Sequence, residues 1–148
     1  MTPVFLALGS NLGDRLAHLR FAANELERRG LTIEAKSTIY RSESVGSGGE
    51  GEFFNAVLRG TTNLSALELL AVCQQIEERA GRSKPTFEGA KREGERALDI
   101  DILMFGEEIS NTSVLQLPHP RALERPFVLR PLLDVLDCTG VLVTDLGW

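Results

Sequence analysis

Asp99 and Asp101 stand two residues apart in Leu98-Asp99-Ile100-Asp101-Ile102-Leu103, a run that is otherwise apolar. Extended backbone turns residues i and i+2 to the same side, so both carboxylates share one face of a strand. Leu98, Ile100 and Ile102 then take the opposite face and pack on the core. Two carboxylates this close repel each other unless a proton or a cation lies between them. Hard oxygen ligands of this kind suit Mg²⁺, which is bound by one or two protein carboxylates together with substrate phosphates. The alternative is an exposed strand with two solvated acids, and an Asp-x-Asp pair alone is common to many unrelated phosphate-handling enzymes.

Basic side chains flank the acidic pair. Arg82, Lys84, Lys91, Arg92 and Arg96 precede it, and His119, Arg121 and Arg125 follow it. The planar guanidinium fork matches phosphate oxygens, and phosphoryl transfer rests mainly on positioning and on cations that stabilise the transition state. Any single one of these arginines is equally well explained as solvated surface; together they favour an anion. His119 lies in Pro118-His119-Pro120-Arg121, where it could hydrogen-bond a phosphate, move a proton, or simply be satisfied within a turn. Phe53 and Asn55 share a strand face by the same period of two. A ring beside a carboxamide offers stacking and edge recognition to a flat heterocycle, although Phe-x-Asn also suits core packing plus turn chemistry. Gly9-Ser10-Asn11-Leu12-Gly13 has the look of a phosphate loop but lacks a following Gly-Lys-Ser/Thr, so it reads as a strand-to-helix turn.

The elements that must carry these residues are set by periodicity. Val4–Leu8 is a continuous apolar run, expected of a strand buried on both faces. Leu12, Leu16, Leu19, Ala23 and Leu26 mark one face of a helix that Gly30 should cap. Leu31, Ile33, Ala35, Ser37 and Ile39 alternate as a half-buried strand, the glycine-rich 44–52 stretch should be a loop, and 53–61 resumes a strand. Ser65-Ala66-Leu67-Glu68 predicts a capping box opening a second helix, with Leu69, Cys73, Ile76 and Ala80 on its buried face. Residues 81–96 are charged and poor in apolar groups, as expected of a functional loop. Residues 98–105 form the last strand, and prolines at 118, 120, 126 and 131 punctuate the remainder of the chain. Strand, helix, strand, strand, helix, strand is the order of an α+β fold of ferredoxin-like βαββαβ type. Its antiparallel sheet would carry both helices on one face, leave the other face open, and add a C-terminal elaboration.

The 148 residues are expected to form a single domain, 1–148. A net charge of −5 argues against a nucleic-acid binder. No apolar stretch approaches the roughly 18 residues of a membrane span, so no membrane partner is expected. Cys73 and Cys138 lack zinc-site spacing and are too few for a secreted scaffold, which makes the cytoplasm the simplest location. Cys73 reads as core filling and His18 as surface.

The motifs taken together resemble the 6-hydroxymethyl-7,8-dihydropterin pyrophosphokinase family. The resemblance runs through Leu8-Gly9-Ser10-Asn11-Leu12-Gly13, Tyr40-Arg41-Ser42, Phe53-Phe54-Asn55-Ala56-Val57, Ile76-Glu77 and Gly81-Arg82. It continues in Arg96-Ala97-Leu98-Asp99-Ile100-Asp101-Ile102-Leu103, Leu117-Pro118-His119-Pro120-Arg121 and Arg125-Pro126-Phe127-Val128-Leu129-Arg130-Pro131-Leu132. It implies an enzyme that moves the β,γ-pyrophosphoryl unit of ATP onto the hydroxymethyl oxygen of the pterin and releases AMP. By that likeness Asp99 and Asp101 hold two Mg²⁺ ions, with Arg82 and Arg96 completing the catalytic set. Arg82, Lys84, Arg96, Ile102, His119 and Arg125 would bind ATP; Ser42, Val45, Phe53, Asn55 and Phe127 would bind the pterin. A monomer or weak homodimer is expected. Many family members carry Trp-Gly-Pro-Arg where this chain has Glu93-Gly94-Glu95-Arg96, a departure bearing on loop closure. Two other classes compete: a nucleotidyl or glycosyl transferase using the Asp-x-Asp pair, and a non-catalytic ligand-sensing domain.

Overall fold

The computed structural model describes residues 1–43, 52–81, 97–136 and 148. The first strand, β1 (Thr2–Ser10), turns through Leu12-Gly13 into α1 (Arg15–Arg28). Asp14 caps that helix, its side chain accepting the Ala17 N–H at 3.1 Å. The helix therefore starts after Leu12, which is exposed rather than on the buried face. Arg29 is the C-terminal cap, and Gly30 follows it at φ 119°, a conformation suited to glycine.

Residues 31–39 form a shorter strand than their alternation predicts. β2 (Leu31–Lys36) ends where Ser37 takes over: its hydroxyl accepts the Val57 N–H at 2.8 Å and its own N–H donates to the Val57 carbonyl. That exchange fixes the chain locally before β3 (Tyr40–Glu43) opens. The long β4 (Glu52–Thr62) pairs antiparallel with β2 and β3 along one side and with β1 along the other. α2 (Ala66–Arg79) opens with the predicted capping box, Ser65 Oγ accepting the Glu68 N–H and Glu68 accepting the Ser65 N–H. β5 (Asp99–Phe105) pairs antiparallel with β1, so the strand order is β2-β4-β1-β5 with β3 extending the β4 edge. A two-strand hairpin, β6 (Ser110–Asn111) and β7 (Gln116–Leu117), precedes a cis Leu117–Pro118 bond and α3 (Pro126–Val135).

The sheet separates two apolar layers. Val4, Leu6 and Leu8 of β1, with Ile100 and Ile102 of β5, pack against Leu19, Ala23 and Leu26 of α1 and Leu69, Cys73 and Ile76 of α2. Cys73 is fully buried, and desolvation pushes its thiol pKa well up. Glu25 joins the two helices, accepting from Arg28 at 2.8 Å and pairing with Arg79. His18 is half-buried rather than on the surface, with Nδ1 3.3 Å from Ser10 Oγ. On the other side of the sheet, Val57 and Leu103 pack against Val128, Leu132 and Val135 of α3. The second face is thus partly covered, because α3 has an apolar stripe of its own to bury. β1 is buried on one face only: Phe5, Ala7 and Gly9 are half-buried on the other. Among the described residues no helix is long and apolar enough to cross a membrane.

Candidate functional site

Register decides what lies beside the acidic pair. Asn55 of β4 pairs with Tyr40 on one side and Gly9 on the other, and Gly9 pairs with Asp99. One cross-strand row therefore runs Tyr40–Asn55–Gly9–Asp99, with all side chains on the α3 face of the sheet. The next row on that face runs Val57–Ala7–Asp101. Strand spacing puts Asn55 and Asp99 roughly 10 Å apart across a floor of Gly9 and Ala7. Two small residues in β1, Gly9 and Ala7, leave that floor low.

A cavity of about 370 Å³ stands on this floor. Ser42 of β3 and Phe53 of β4 bound one side, Asp99 and Asp101 the other, and Arg125, Phe127 and Val128 at the start of α3 form the wall. Asn55 is almost fully buried, and its Nδ2 donates to Ser42 Oγ at 2.8 Å. That bond fixes the carboxamide's orientation and leaves Oδ1 beside Gly9, 3.5 Å from where a Cβ on that residue would stand. Arg125 lies with its Cζ 5.7 Å from the centroid of the Phe127 ring, within cation–π range.

Asp99, Asp101 and Arg125 also line a second cavity, of about 610 Å³, on the other side of the carboxylates. Ile102 contributes to it from β5 and Leu70 from α2. The stretch from Thr112 to Gln116 and the His119–Arg121 turn close it. His119 is anchored by its N–H donating to the Leu103 carbonyl at 2.9 Å, and its Nδ1 accepts the Arg121 N–H at 3.2 Å. An accepting Nδ1 leaves the ring proton on Nε2, which lies 3.9 Å from Asp101 Oδ1. Burial, more than the nearby Arg125 and Arg121 charges, lowers the His119 pKa, and Asp99 works against that shift. At neutral pH His119 is a neutral donor directed to the acid side of the cavity.

Of the residues singled out by sequence, Ser42, Phe53, Asn55, Asp99, Asp101, Arg125 and Phe127 meet around the first cavity. Ile102 and His119 line the second. Arg82, Lys84, Arg96, Val45, Glu93 and Glu95 lie outside the described residues. Sequence reasoning missed the floor residues Gly9 and Ala7, the wall residue Leu70 and the 112–116 stretch. The polar Asn111-Thr112-Ser113 run was the available signal for the last of these. Among the described residues no three His, Cys, Asp or Glu side chains gather into a metal cage. Two carboxylates on one strand face beside an open cavity are nevertheless the donor set Mg²⁺ uses when phosphates complete its shell, so the residues fit that ion.

The chain matches the family model described as 7,8-dihydro-6-hydroxymethylpterin-pyrophosphokinase (HPPK) over residues 5–137. It is 40% identical over 135 residues to a 2-amino-4-hydroxy-6-hydroxymethyldihydropteridine pyrophosphokinase of Aquifex aeolicus, covering 91% of this chain and 81% of that protein. A Bacillus subtilis protein of the same description is 40% identical over 132 residues, covering 88% of this chain and 76% of the other. A folate synthesis bifunctional protein of Arabidopsis thaliana is also 40% identical, over 138 residues and 93% of this chain, but the chain spans only 28% of its length. In fold, it is similar to a crystal structure described as HPPK-DHPS in complex with substrates, at TM-score 0.63 and 16% identity, covering 90% of this chain and 40% of that one. The Plasmodium falciparum HPPK-DHPS structure with pteroate gives TM-score 0.62 at 13% identity, covering 86% of this chain and 39% of the other. With a match across the body of the sequence and close relatives of comparable length, the chain belongs to the 7,8-dihydro-6-hydroxymethylpterin-pyrophosphokinase family.

Proposed function

We propose that this protein transfers the β,γ-pyrophosphoryl group of ATP to the hydroxymethyl oxygen of 6-hydroxymethyl-7,8-dihydropterin, releasing AMP, as a step of folate synthesis. The observation that carries this reading is the sharing of Asp99, Asp101 and Arg125 by two adjoining cavities of different character. The smaller one has an apolar floor, an oriented carboxamide and two phenylalanines, features that suit a pterin ring. Phe127 and Phe53 would flank that ring, Asn55 would read its edge, and Ser42 would hold Asn55 in register; Val45 is assigned to the same pocket by family likeness. The larger cavity would take ATP, with Ile102 and Leu70 against the base, and His119 and Arg125 donating to phosphate oxygens. Arg82, Lys84 and Arg96 are assigned to the phosphates on family grounds.

The chemistry is an in-line displacement at the β-phosphorus. The pterin oxygen forms the new O–P bond, the bond from the β-phosphorus to the α,β-bridging oxygen breaks, AMP leaves with that oxygen, and the hydroxyl proton is released. Two Mg²⁺ ions, held by Asp99 and Asp101, would supply charge neutralisation on the phosphates and a more nucleophilic hydroxyl. The side chains of this protein do the rest: they bind both substrates at the boundary of the two cavities, align oxygen with phosphorus, and stabilise developing charge with Arg125 and the Nε2–H of His119. The strand order β2-β4-β1-β5 with α1 and α2 on one face supports a ferredoxin-like βαββαβ arrangement, with 106–136 as its C-terminal elaboration. A single domain acting in the cytoplasm as a monomer or weak homodimer completes the reading, with no nucleic acid or membrane involved.

The test is an assay for AMP from ATP, Mg²⁺ and 6-hydroxymethyl-7,8-dihydropterin. Wild-type protein should release AMP only when the pterin is present. Asp99→Ala and Asp101→Ala should each reduce turnover by on the order of 10³-fold or more while the protein remains folded. Full turnover by both variants would remove the metal assignment, and absence of AMP from the wild-type protein would remove the function.

A further inference from the structure

Glu77 sits on α2 behind the acidic strand and is only 3% exposed. A buried carboxylate is costly unless polar groups satisfy it. Here Oε2 accepts the backbone N–H of Ile100 at 2.8 Å, and the bond itself is buried. Ile100 is the residue between Asp99 and Asp101. β5 also stands at the end of the strand order, so its outer backbone edge has no strand partner among the described residues. An edge N–H in that position needs water or a side chain to satisfy it. The bond from Glu77 holds the peptide that joins the two acids from the side opposite β1, where Leu8 pairs with Ile100.

We propose that Glu77 is a positioning residue for the divalent-metal site. Its carboxylate clamps the Ile100 amide, so that Asp99 and Asp101 present their oxygens at a fixed separation to the boundary of the two cavities. The inference rests on the reading of Asp99 and Asp101 as metal ligands. Outer-shell groups that orient metal ligands commonly change affinity or activity by about 10- to 100-fold when removed. Sequence gives no hint of the link, because the residues are separated by a loop and belong to different elements.

The experiment compares Glu77→Ala, Glu77→Asp and Glu77→Gln. Asp keeps the charge but draws the carboxylate back by one methylene; Gln keeps the reach and an oxygen acceptor. Mn²⁺, which shares the octahedral oxygen preference of Mg²⁺, is titrated onto each protein with a non-hydrolysable ATP analogue and followed by its electron-spin resonance signal. Thermal unfolding and AMP production are measured beside it. The Ala and Asp variants should bind Mn²⁺ about 10- to 100-fold more weakly and lose AMP production by a similar factor. The Gln variant should stay within about threefold of wild type on both measures, since its acceptor still reaches the amide. A folded Ala or Asp variant with wild-type Mn²⁺ affinity overturns the proposal, whatever its melting temperature, because the role would then be structural. Rapid solvent exchange of the Ile100 amide in the wild-type protein overturns it without any variant. If wild-type protein with the ATP analogue binds no Mn²⁺, the metal reading of Asp99 and Asp101 fails and the inference fails with it.

Discussion

Gly9 illustrates how much a single position contributes to this site. It lies between Asn55 and Asp99 in the cross-strand row, and a Cβ there would stand 3.5 Å from Asn55 Oδ1 and 3.9 Å from Phe53 Cδ1. Those are ordinary contact distances, so the fold accommodates the methyl while the floor of the smaller cavity rises. Gly9→Ala should therefore change stability by less than about 1 kcal/mol. Its pterin Kd should rise by about tenfold, about 1.4 kcal/mol, with ATP binding unchanged. Calorimetric titration with each ligand checks this, and equal loss of both would mean the substitution disturbs β1 as a whole. The acids were legible from sequence because a period of two needs no partner strand. Gly9 was not, since its role depends on which residues lie across from it, and register is a tertiary fact. His119 was only half legible: its type left phosphate hydrogen-bonding, proton transfer and a satisfied turn open, and only the Arg121 N–H on Nδ1 shows that its free donor is at Nε2.

At the scale of elements, α3 is the piece that turns a sheet face into a pocket, and its attachment is specific. Asp134 accepts from the Tyr40 hydroxyl at 2.8 Å and from the Thr38 N–H at 3.1 Å, and Arg59 donates to the Val135 carbonyl at 3.0 Å. These bonds tie the C-terminal half of α3 to β3 and β4, while its first turn brings Phe127 and Val128 to the cavity. Tyr40 is the one tyrosine in the chain, so its titration can be followed directly at the absorbance of tyrosinate. Burial, reinforced by the Asp134 carboxylate, raises its pKa above the ordinary value of 10.0. The neutral phenol is favoured in the folded state, so this contribution to stability is fully present below about pH 10 and lost as pH rises through the raised folded value. Asp134→Asn should move the absorbance midpoint down towards the ordinary value and raise the KM for pterin more than it lowers kcat. A wild-type midpoint at or below the ordinary value would count against the attachment. The existence of both long helices and the capping box of α2 were legible because local periodicity and cap chemistry suffice for them. The division of residues 31–43 into two strands was not, because Ser37 ends β2 through a bond to Val57, a residue of another element.

For the molecule as a whole, the arrangement is a sheet with α1 and α2 behind it and a working face in front that α3 covers only in part. The class of fold could be read from element order, but partial cover of the second face could not. Whether an apolar stripe such as Val128, Leu132 and Val135 packs on this sheet or elsewhere is set by the path of the chain after β5. The larger cavity was illegible for a related reason: Leu70 and the 112–116 stretch belong to separate parts of the chain that meet only in the fold. What the whole adds to its parts is adjacency. Because both cavities end on the same Asp99, Asp101 and Arg125, occupation of one should alter the charge and order that the other ligand meets. A Mg²⁺-bound nucleotide that neutralises and orders the carboxylates should strengthen pterin binding by about tenfold or more, roughly 1.4 kcal/mol of coupling. Linkage requires pterin to strengthen binding of the Mg²⁺-bound nucleotide by the same factor. Calorimetry with pterin and a non-hydrolysable ATP analogue, in both orders of addition, measures the coupling. Asp99→Asn with Asp101→Asn should reduce it to about twofold or less, because nearly neutral carboxamides leave little charge for the metal to relieve. Independent binding in the wild-type protein would mean that the two cavities adjoin without communicating through the acids.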